Sequence, residues 1–339
     1  MLRLIDANLN RISEGLRLIE DVARFILNDP GITAELKSVR HGLAAEDSRL
    51  QEALLQARDS AGDVAALAEE ETHRQALVDI VVANSKRVEE SLRVVEELAK
   101  LPEVMLDSSR FKRARFDLYR IEKSIIAKLL RQDKKVSGLY VIIDPEALRG
   151  RDEMEVARQV IRGGAKAIQF RDKKRGKEEL LARARELREV CTQFGVLFIV
   201  NDYLDIAIAS GADGLHLGPS DLPISAARPL LPIDRILGCS TITLEQALKA
   251  EADGADYVAV GSIYPTASKA GAIVVGLERL RQIREAISLP IVAIGGIDES
   301  NAAEVIQAGA DSLAVISAVS GAENVEAAAR RLAEIMEEK

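Results

Sequence analysis

The chain has 339 residues, room for one large domain of about 200 residues beside a smaller one, and its net charge of −8 with a pI near 5.3 supplies no basic field to gather nucleic-acid phosphates. No apolar run reaches the roughly 18 residues of a membrane span, and the start, Met1-Leu2-Arg3-Leu4-Ile5-Asp6, lacks the basic-then-apolar pattern of a signal peptide. Two cysteines, Cys191 and Cys239, are too few for a disulfide framework, and three histidines without any Trp argue against a His-rich metal site, so the expectation is a soluble, cytoplasmic protein that acts on small molecules, either alone or as a homo-oligomer.

From Leu4 to Leu27 apolar residues fall at Ile5, Leu9, Ile12, Leu16, Ile19, Ala23 and Ile26, the spacing of an amphipathic helix, which Asn28-Asp29-Pro30-Gly31 stops. Further helices are predicted over 32–57, 73–100 and 107–131. Within them the segment Ala7-Asn8-x-x-Arg11-x-x-Glu14-x-Leu16-Arg17-x-x-Glu20 recurs as Ala83-Asn84-x-x-Arg87-x-x-Glu90-x-Leu92-Arg93-x-x-Glu96. Each copy is followed by a weaker echo, Leu36-Lys37-x-x-Arg40-x-x-Leu43 and Phe111-Lys112-x-x-Arg115-x-x-Leu118. Two such hairpins predict an antiparallel four-helix bundle over residues 1–134. Asn8, Arg11, Asn84 and Arg87 either line a pseudo-twofold anion pocket or brace exposed helix surfaces, where Arg and Glu lie three or four residues apart. No glycine loop that could cradle a nucleotide phosphate occurs here.

Glycine usage marks the boundary. Before residue 138 only Gly15, Gly31, Gly42 and Gly62 occur, whereas eighteen lie from Gly138 onward, so Lys134–Gly138 reads as a linker. After it strands alternate with amphipathic segments. The predicted strands are Leu139–Asp144, Ala167–Asp172, Leu197–Asp202, Gly214–Gly218, Ile236–Thr241, Tyr257–Gly261, Pro290–Gly295 and Ser312–Ser317, and Val325–Glu338 closes the series. Eight such units in about 200 residues predict an α/β fold of the (β/α)8 TIM-barrel type over 138–339, with its chemistry at the C-terminal ends of the strands.

In the second strand Gln169, Arg171 and Lys173 share one face while Phe170 and Asp172 share the other. Two cations turned inward from apolar sequence call for either a bound anion or a pair of satisfied salt bridges, because burying unpaired charge costs several kcal/mol or more. The remaining strand ends offer Asn201-Asp202, His216-x-Gly218-Pro219-Ser220-Asp221, Gly238-Cys239-Ser240, Thr266-Ala267-Ser268-Lys269, Gly295-Gly296 and Ile316-Ser317. Asp202 and Asp221 can meet over the barrel mouth, where hard oxygen ligands beside phosphate-binding cations suit Mg²⁺; the plainer alternative is that they cap the following helices. His216 reads as a packed core histidine and Cys239 as packing.

Taken together and in order, Gln169-x-Arg171-x-Lys173, Asn201-Asp202, His216-x-Gly218-x-x-Asp221, Gly238-x-Ser240, Tyr264-Pro265-Thr266-x-Ser268-Lys269, Gly295-Gly296-Ile297 and Ile316-Ser317 resemble the motifs of thiamine phosphate synthase. The resemblance covers about residues 138–339. It implies an enzyme, a transferase of thiamine biosynthesis, that joins hydroxymethylpyrimidine diphosphate to thiazole phosphate and releases pyrophosphate, with C–O cleavage preceding attack by the thiazole nitrogen. It further implies that Gln169, Phe170, Arg171, Asp172, Lys173, Asn201, Ser240 and Lys269 hold the pyrimidine diphosphate, Arg171, Lys173 and Lys269 being the catalytic cations. Asp202 and Asp221 would bind Mg²⁺, and Thr266, Ala267, Ser268, Gly296, Ile316 and Ser317 would surround the thiazole phosphate. Two departures from the family pattern are Pro219-Ser220, where a Gln and an acidic residue are usual, and Ser268 in place of Thr. The helical region resembles an extension fused to such synthases and associated with hydroxymethylpyrimidine phosphate kinase activity. Two alternatives to the synthase are a related barrel that isomerises thiazole phosphate, and a non-catalytic sensor of thiamine precursors.

Overall fold

The computed structural model describes residues 1–43, 48–57, 74–266 and 271–337. The chain divides into two units, Met1–Gln132 and Asp133–Lys339. In the first, α1 (Leu2–Asp21) runs on through a π-helical turn over Val22–Ile26, followed by α2 (Pro30–Leu43), α3 (Ser48–Gln56), α4 (Leu77–Leu98) and α5 (Ser108–Arg131). The segment predicted as one helix over 32–57 is thus occupied by α2 and α3, with 44–47 outside the described residues. Asp29 and Asp107 accept the backbone N–H groups of Ile32 and Ser109, each at 2.9 Å, and so satisfy donors that the first turns of α2 and α5 would leave unpaired.

Of the apolar stripe read from the sequence, Ile5, Ile12, Leu16, Ile19 and Ala23 are buried, Leu9 is half-buried and Ile26, in the π-helical turn, is exposed. Ile12, Leu16 and Ile19 of α1 cluster with Val88, Leu92 and Val95 of α4 and with Phe111, Leu118, Ile121 and Ile125 of α5. Each such side chain contributes about 1.5–3 kcal/mol when fully buried. Helix α1 packs on α4, α4 on α5, and α2 on both α1 and α5. The repeat also places equivalent ion pairs, Arg40–Glu20 at 2.9 Å and Arg115–Glu96 at 3.0 Å, which tie the second helix of each hairpin to the first. Asn8 and Asn84 donate back to Leu4 O and Ile80 O of their own helices, both at 2.8 Å, and Arg11 and Arg87 are exposed. Asn8 and Asn84 are thus engaged within their own helices.

Among the described residues the second unit contains eight strands: β1 (Gly138–Ile143), β2 (Ala167–Phe170), β3 (Leu197–Asn201), β4 (Gly214–Leu217), β5 (Ile236–Thr241), β6 (Tyr257–Val260), β7 (Ile291–Ile294) and β8 (Ser312–Val315). All pair in parallel in sequence order, and β1 pairs with β8 to close the barrel. Between them lie α6 (Glu153–Arg162), α7 (Lys177–Phe194), α8 (Leu204–Ser210), α9 (Ile224–Ala227), α10 (Leu244–Ala252), α11 (Gly276–Ala286), α12 (Ala302–Gln307) and α13 (Ser317–Ser320), and α14 (Val325–Glu337) follows.

Because strand side chains alternate, two cores form. Leu139, Val141, Ile143, Phe170, Phe198 and Leu215 point outward and pack under the helices. Tyr140, Ile142, Ile199, Tyr257 and Val292 fill the interior. Gly238 of β5 is required by this interior, since a Cβ there would lie 2.0 Å from the Tyr257 ring. The two cysteines, Cys191 of α7 and Cys239 of β5, are free and buried in the outer layer. Among the described residues no helix is long and apolar enough to cross a membrane.

Candidate active site

Several strands are shorter than the sequence suggests. β2 stops at Phe170 and β3 at Asn201, so Arg171, Lys173, Asp202 and Asp221 belong to the loops on the C-terminal side of the barrel. There a cavity of about 740 Å³ is lined from all eight strands. Its upper wall is charged. The Arg171 guanidinium pairs with Asp144, which follows β1 and is fixed by accepting the Glu146 N–H at 3.0 Å. Lys173 Nζ lies 3.1 Å from Asp202 Oδ2. Asp202 itself has a φ of 64°, the left-handed region that Asp and Asn enter more readily than other non-glycine residues.

Asp221 accepts the Gly218 N–H at 2.7 Å. Burial, then the adjoining Asp202 carboxyl, push the Asp221 carboxyl above the usual carboxylate range, against the pull of the Gly218 N–H and of Lys173. Two carboxylates crowded together in this way suit a hard divalent cation. Among the described residues no group of three or more His, Cys, Asp or Glu is placed to hold a metal. An ion here would complete its shell with water and substrate oxygens, as Mg²⁺ characteristically does.

The floor is polar but uncharged. Gln169, Tyr140, Tyr257, His216 and Ser240 form a connected row across the barrel, the first four of them buried. Burial lowers the His216 imidazole to about 4, opposed by the nearby Asp221 charge, and raises both phenols above their ordinary value. On the far side, Gly296 has a φ of 67°, and a Cβ there would come 2.6 Å from Pro265 O. Only glycine lets the loops after β6 and β7 approach so closely. Beside it Ile316 and Ser317 lead into α13, presenting backbone N–H groups where barrels of this class commonly take a phosphate.

Gln169, Arg171, Lys173, Asn201, Asp202, Asp221, Ser240, Thr266, Gly296, Ile316 and Ser317 all line the cavity. Phe170 packs in the outer hydrophobic layer. Asp172 turns to the loop, accepting the N–H groups of Lys174 at 2.8 Å and Arg175 at 3.1 Å and pairing with the Arg175 guanidinium. Ala267, Ser268 and Lys269 lie outside the described residues. His216, expected as a core histidine, is buried and yet lines the cavity. Sequence reasoning passes over Asp144, Tyr140 and Tyr257. The strand-end rule that selects Asp202 points equally to Asp144, and alternation along β1 and β6 would have turned the two tyrosines inward.

Residues 139–319 match the family model described as thiamine monophosphate synthase, and residues 3–124 match the ThiD2 family. A thiamine-phosphate synthase of Synechocystis sp. is 39% identical, covering 94% of this chain and 91% of its own. One from Methanocella arvoryzae is 53% identical over 58% of this chain and 94% of its own length. The solved thiamine phosphate pyrophosphorylase of Pyrococcus furiosus, 45% identical, aligns with 62% of this chain and 98% of its own at a TM-score of 0.56. The barrel that carries the charged mouth is therefore the part shared with the shorter relatives, the helical unit is shared with the longer ones, and the chain belongs to the thiamine-phosphate synthase family of transferases in thiamine biosynthesis.

Proposed function

We propose that the cavity binds hydroxymethylpyrimidine diphosphate and thiazole phosphate together and joins them, releasing pyrophosphate. The observation that carries this reading is the gathering of Arg171, Lys173, Asp202 and Asp221 around one cavity that Gly296 and Ser317 also line. Cations and a carboxylate pair suit a diphosphate; a glycine loop and a helix start suit a monophosphate. Asp202 and Asp221 would hold Mg²⁺, which when bound offsets charge on the diphosphate oxygens.

Arg171 and Lys173 act on the same oxygens. As the C–O bond to the pyrimidine methylene breaks, negative charge builds on the departing pyrophosphate, and fixed guanidinium and ammonium groups stabilise it there. Asp144 and Asp202 hold these two cations in place before substrate arrives, so little reorganisation accompanies bond breaking. The electron-rich aminopyrimidine carries the positive charge left on its methylene carbon, and the thiazole nitrogen, held opposite, then forms the new C–N bond. No enzyme nucleophile takes part; holding both substrates in line accounts for much of the rate. Lys269, which lies outside the described residues, is assigned to the diphosphate by the family resemblance.

Pyrophosphate release measured with both substrates tests the reaction. Release that requires both substrates and a divalent cation is the expected result. Isomerisation of thiazole phosphate without any diphosphate would make the barrel a tautomerase, and binding of either substrate without release would make it a sensor.

A further inference from the structure

The uncharged row on the barrel floor has a direction. Gln169 Nε2 donates to Tyr140 OH at 2.9 Å. Having accepted that hydrogen bond, Tyr140 has its own O–H to donate, and Tyr257 OH lies 3.2 Å away. The Tyr257 proton in turn goes to His216 Nδ1 at 3.1 Å. A neutral imidazole that accepts at Nδ1 carries its proton on Nε2, which lies 3.0 Å from Ser240 Oγ. Ser240 has then accepted a hydrogen bond, and its own proton is free for the cavity. At the opposite end, the Gln169 amide has spent a donor inward, and its carbonyl oxygen is left for the cavity that the residue lines.

The row links β2, β1, β6, β4 and β5, so it couples side chains on both sides of the cavity. It has one alternative state, with every proton reversed: Ser240 donates to His216 Nε2, Nδ1–H donates to Tyr257, Tyr257 to Tyr140, and Tyr140 to a flipped Gln169 amide. In that state Gln169 shows the cavity a donor and Ser240 an acceptor. A change at one end therefore requires four hydrogen bonds to reverse together, with a histidine tautomer and an amide changing along with them. Burial of Gln169, Tyr140, Tyr257 and His216, with 1–6% of their surface exposed, keeps water from repairing a mismatch locally.

We propose that Tyr140, Tyr257 and His216 are positioning residues that fix the polarity of Gln169 and Ser240, and thereby make the site read the amino group of an aminopyrimidine and reject its oxo counterpart. The proposal rests on the synthase reading of the cavity. In the forward polarity the Gln169 carbonyl accepts an exocyclic N–H, and the Ser240 hydroxyl donates to a ring nitrogen or phosphoryl oxygen of the same ligand. A pyrimidine with an oxo group at that position offers an acceptor where the site also offers one. Sites that read a polar group through buried partners discriminate strongly, because the wrong ligand leaves those partners unpaired.

The test compares kcat/KM for the amino substrate and the 4-oxo diphosphate analogue by pyrophosphate release, with thiazole phosphate as co-substrate, in the full chain and in Tyr257→Phe, Tyr140→Phe and the double variant. The wild-type chain should prefer the amino substrate by at least ~100-fold. Either single change, which keeps the ring and removes the hydroxyl link, should cut that preference at least ~10-fold, and the double variant should cut it no further, since one break already uncouples the row. KM for thiazole phosphate should stay within about threefold, which separates loss of polarity from general disorder. A preference within threefold of wild type in folded Tyr257→Phe, or additive effects in the double variant, overturns the proposal while leaving the synthase reading intact. A wild-type chain that releases no pyrophosphate from the amino substrate overturns both.

Discussion

Asp202 occupies a left-handed backbone position and stands beside Asp221 and Lys173. Replacing it with Ala would remove charge and add backbone strain together, so Asn, which tolerates that conformation, isolates the charge. Asp202→Asn and Asp221→Asn are each expected to lower turnover at least ~100-fold, the scale seen when a charge-stabilising group is lost from a transition state. Near-wild-type turnover in either variant, at saturating Mg²⁺ and with a native circular dichroism spectrum, would remove the carboxylate pair from the mechanism. Asp144 acts one step further back, through Arg171. Asp144→Asn should raise KM for the diphosphate several-fold and leave KM for thiazole phosphate unchanged, whereas replacing Ser317 with Phe should do the reverse. Titrating each substrate separately distinguishes the two, and equal losses for both would mean that the cavity is not divided in this way.

Among the elements, α4 and α5 carry a titrating contact that the amphipathic pattern does not announce. Glu89 of α4 lies beside Glu122 of α5, and burial, followed by the Glu122 charge, raises the Glu89 carboxyl from 4.5 to about 7. A carboxyl raised in the folded state binds its proton there more tightly than in the unfolded chain. Its contribution is full below about pH 4.5 and is lost as pH rises through about 7. The side chain is half-buried, so the loss should be of order 1 kcal/mol rather than the full linkage value. Urea unfolding of the helical unit at pH 5 and pH 8, followed by circular dichroism, should show this decline in the wild-type chain and little slope in Glu89→Gln. A decline of equal size in both would place the titrating group elsewhere. The same two helices show what a linear pattern conveys and what it omits. The repeat singles out Leu92, Phe111 and Leu118, and each is buried in the core of the helical unit. The Glu89–Glu122 approach depends on how two helices meet, a relation that neither segment contains alone.

For the molecule as a whole, the barrel was readable because eight strand–helix units repeat one rule, and polar residues at the strand ends break each apolar run at the same relative place. Arg171, Asp202, Asp221 and Ser317 follow from that rule. The floor of the cavity does not, because its bonds join strands far apart in the chain: Tyr140 meets Tyr257 across 117 positions and Tyr257 meets His216 across 41. Phe170 and Asp172 illustrate the opposite limit, since they sit inside a strong motif while Phe170 packs in the outer layer and Asp172 is held by the N–H groups of Lys174 and Arg175. The two buried cysteines have a practical use. Both lie in the barrel, none lies in the helical unit, and the chain has no Trp. Burial raises the thiols to about 12 for Cys191 and about 11 for Cys239, which suppresses the reactive thiolate as well as access to it. Thiol labelling is thus an intrinsic clock for opening of the barrel. Titration with an aromatic disulfide reagent should find both sulfurs unreactive over minutes in buffer and both reactive in denaturant, with a labelling midpoint in urea that leaves the Glu89→Gln variant and the wild-type chain superimposed. Reaction of either sulfur at the rate of free cysteine, without denaturant, would show that the barrel wall breathes at α7 or β5 under native conditions.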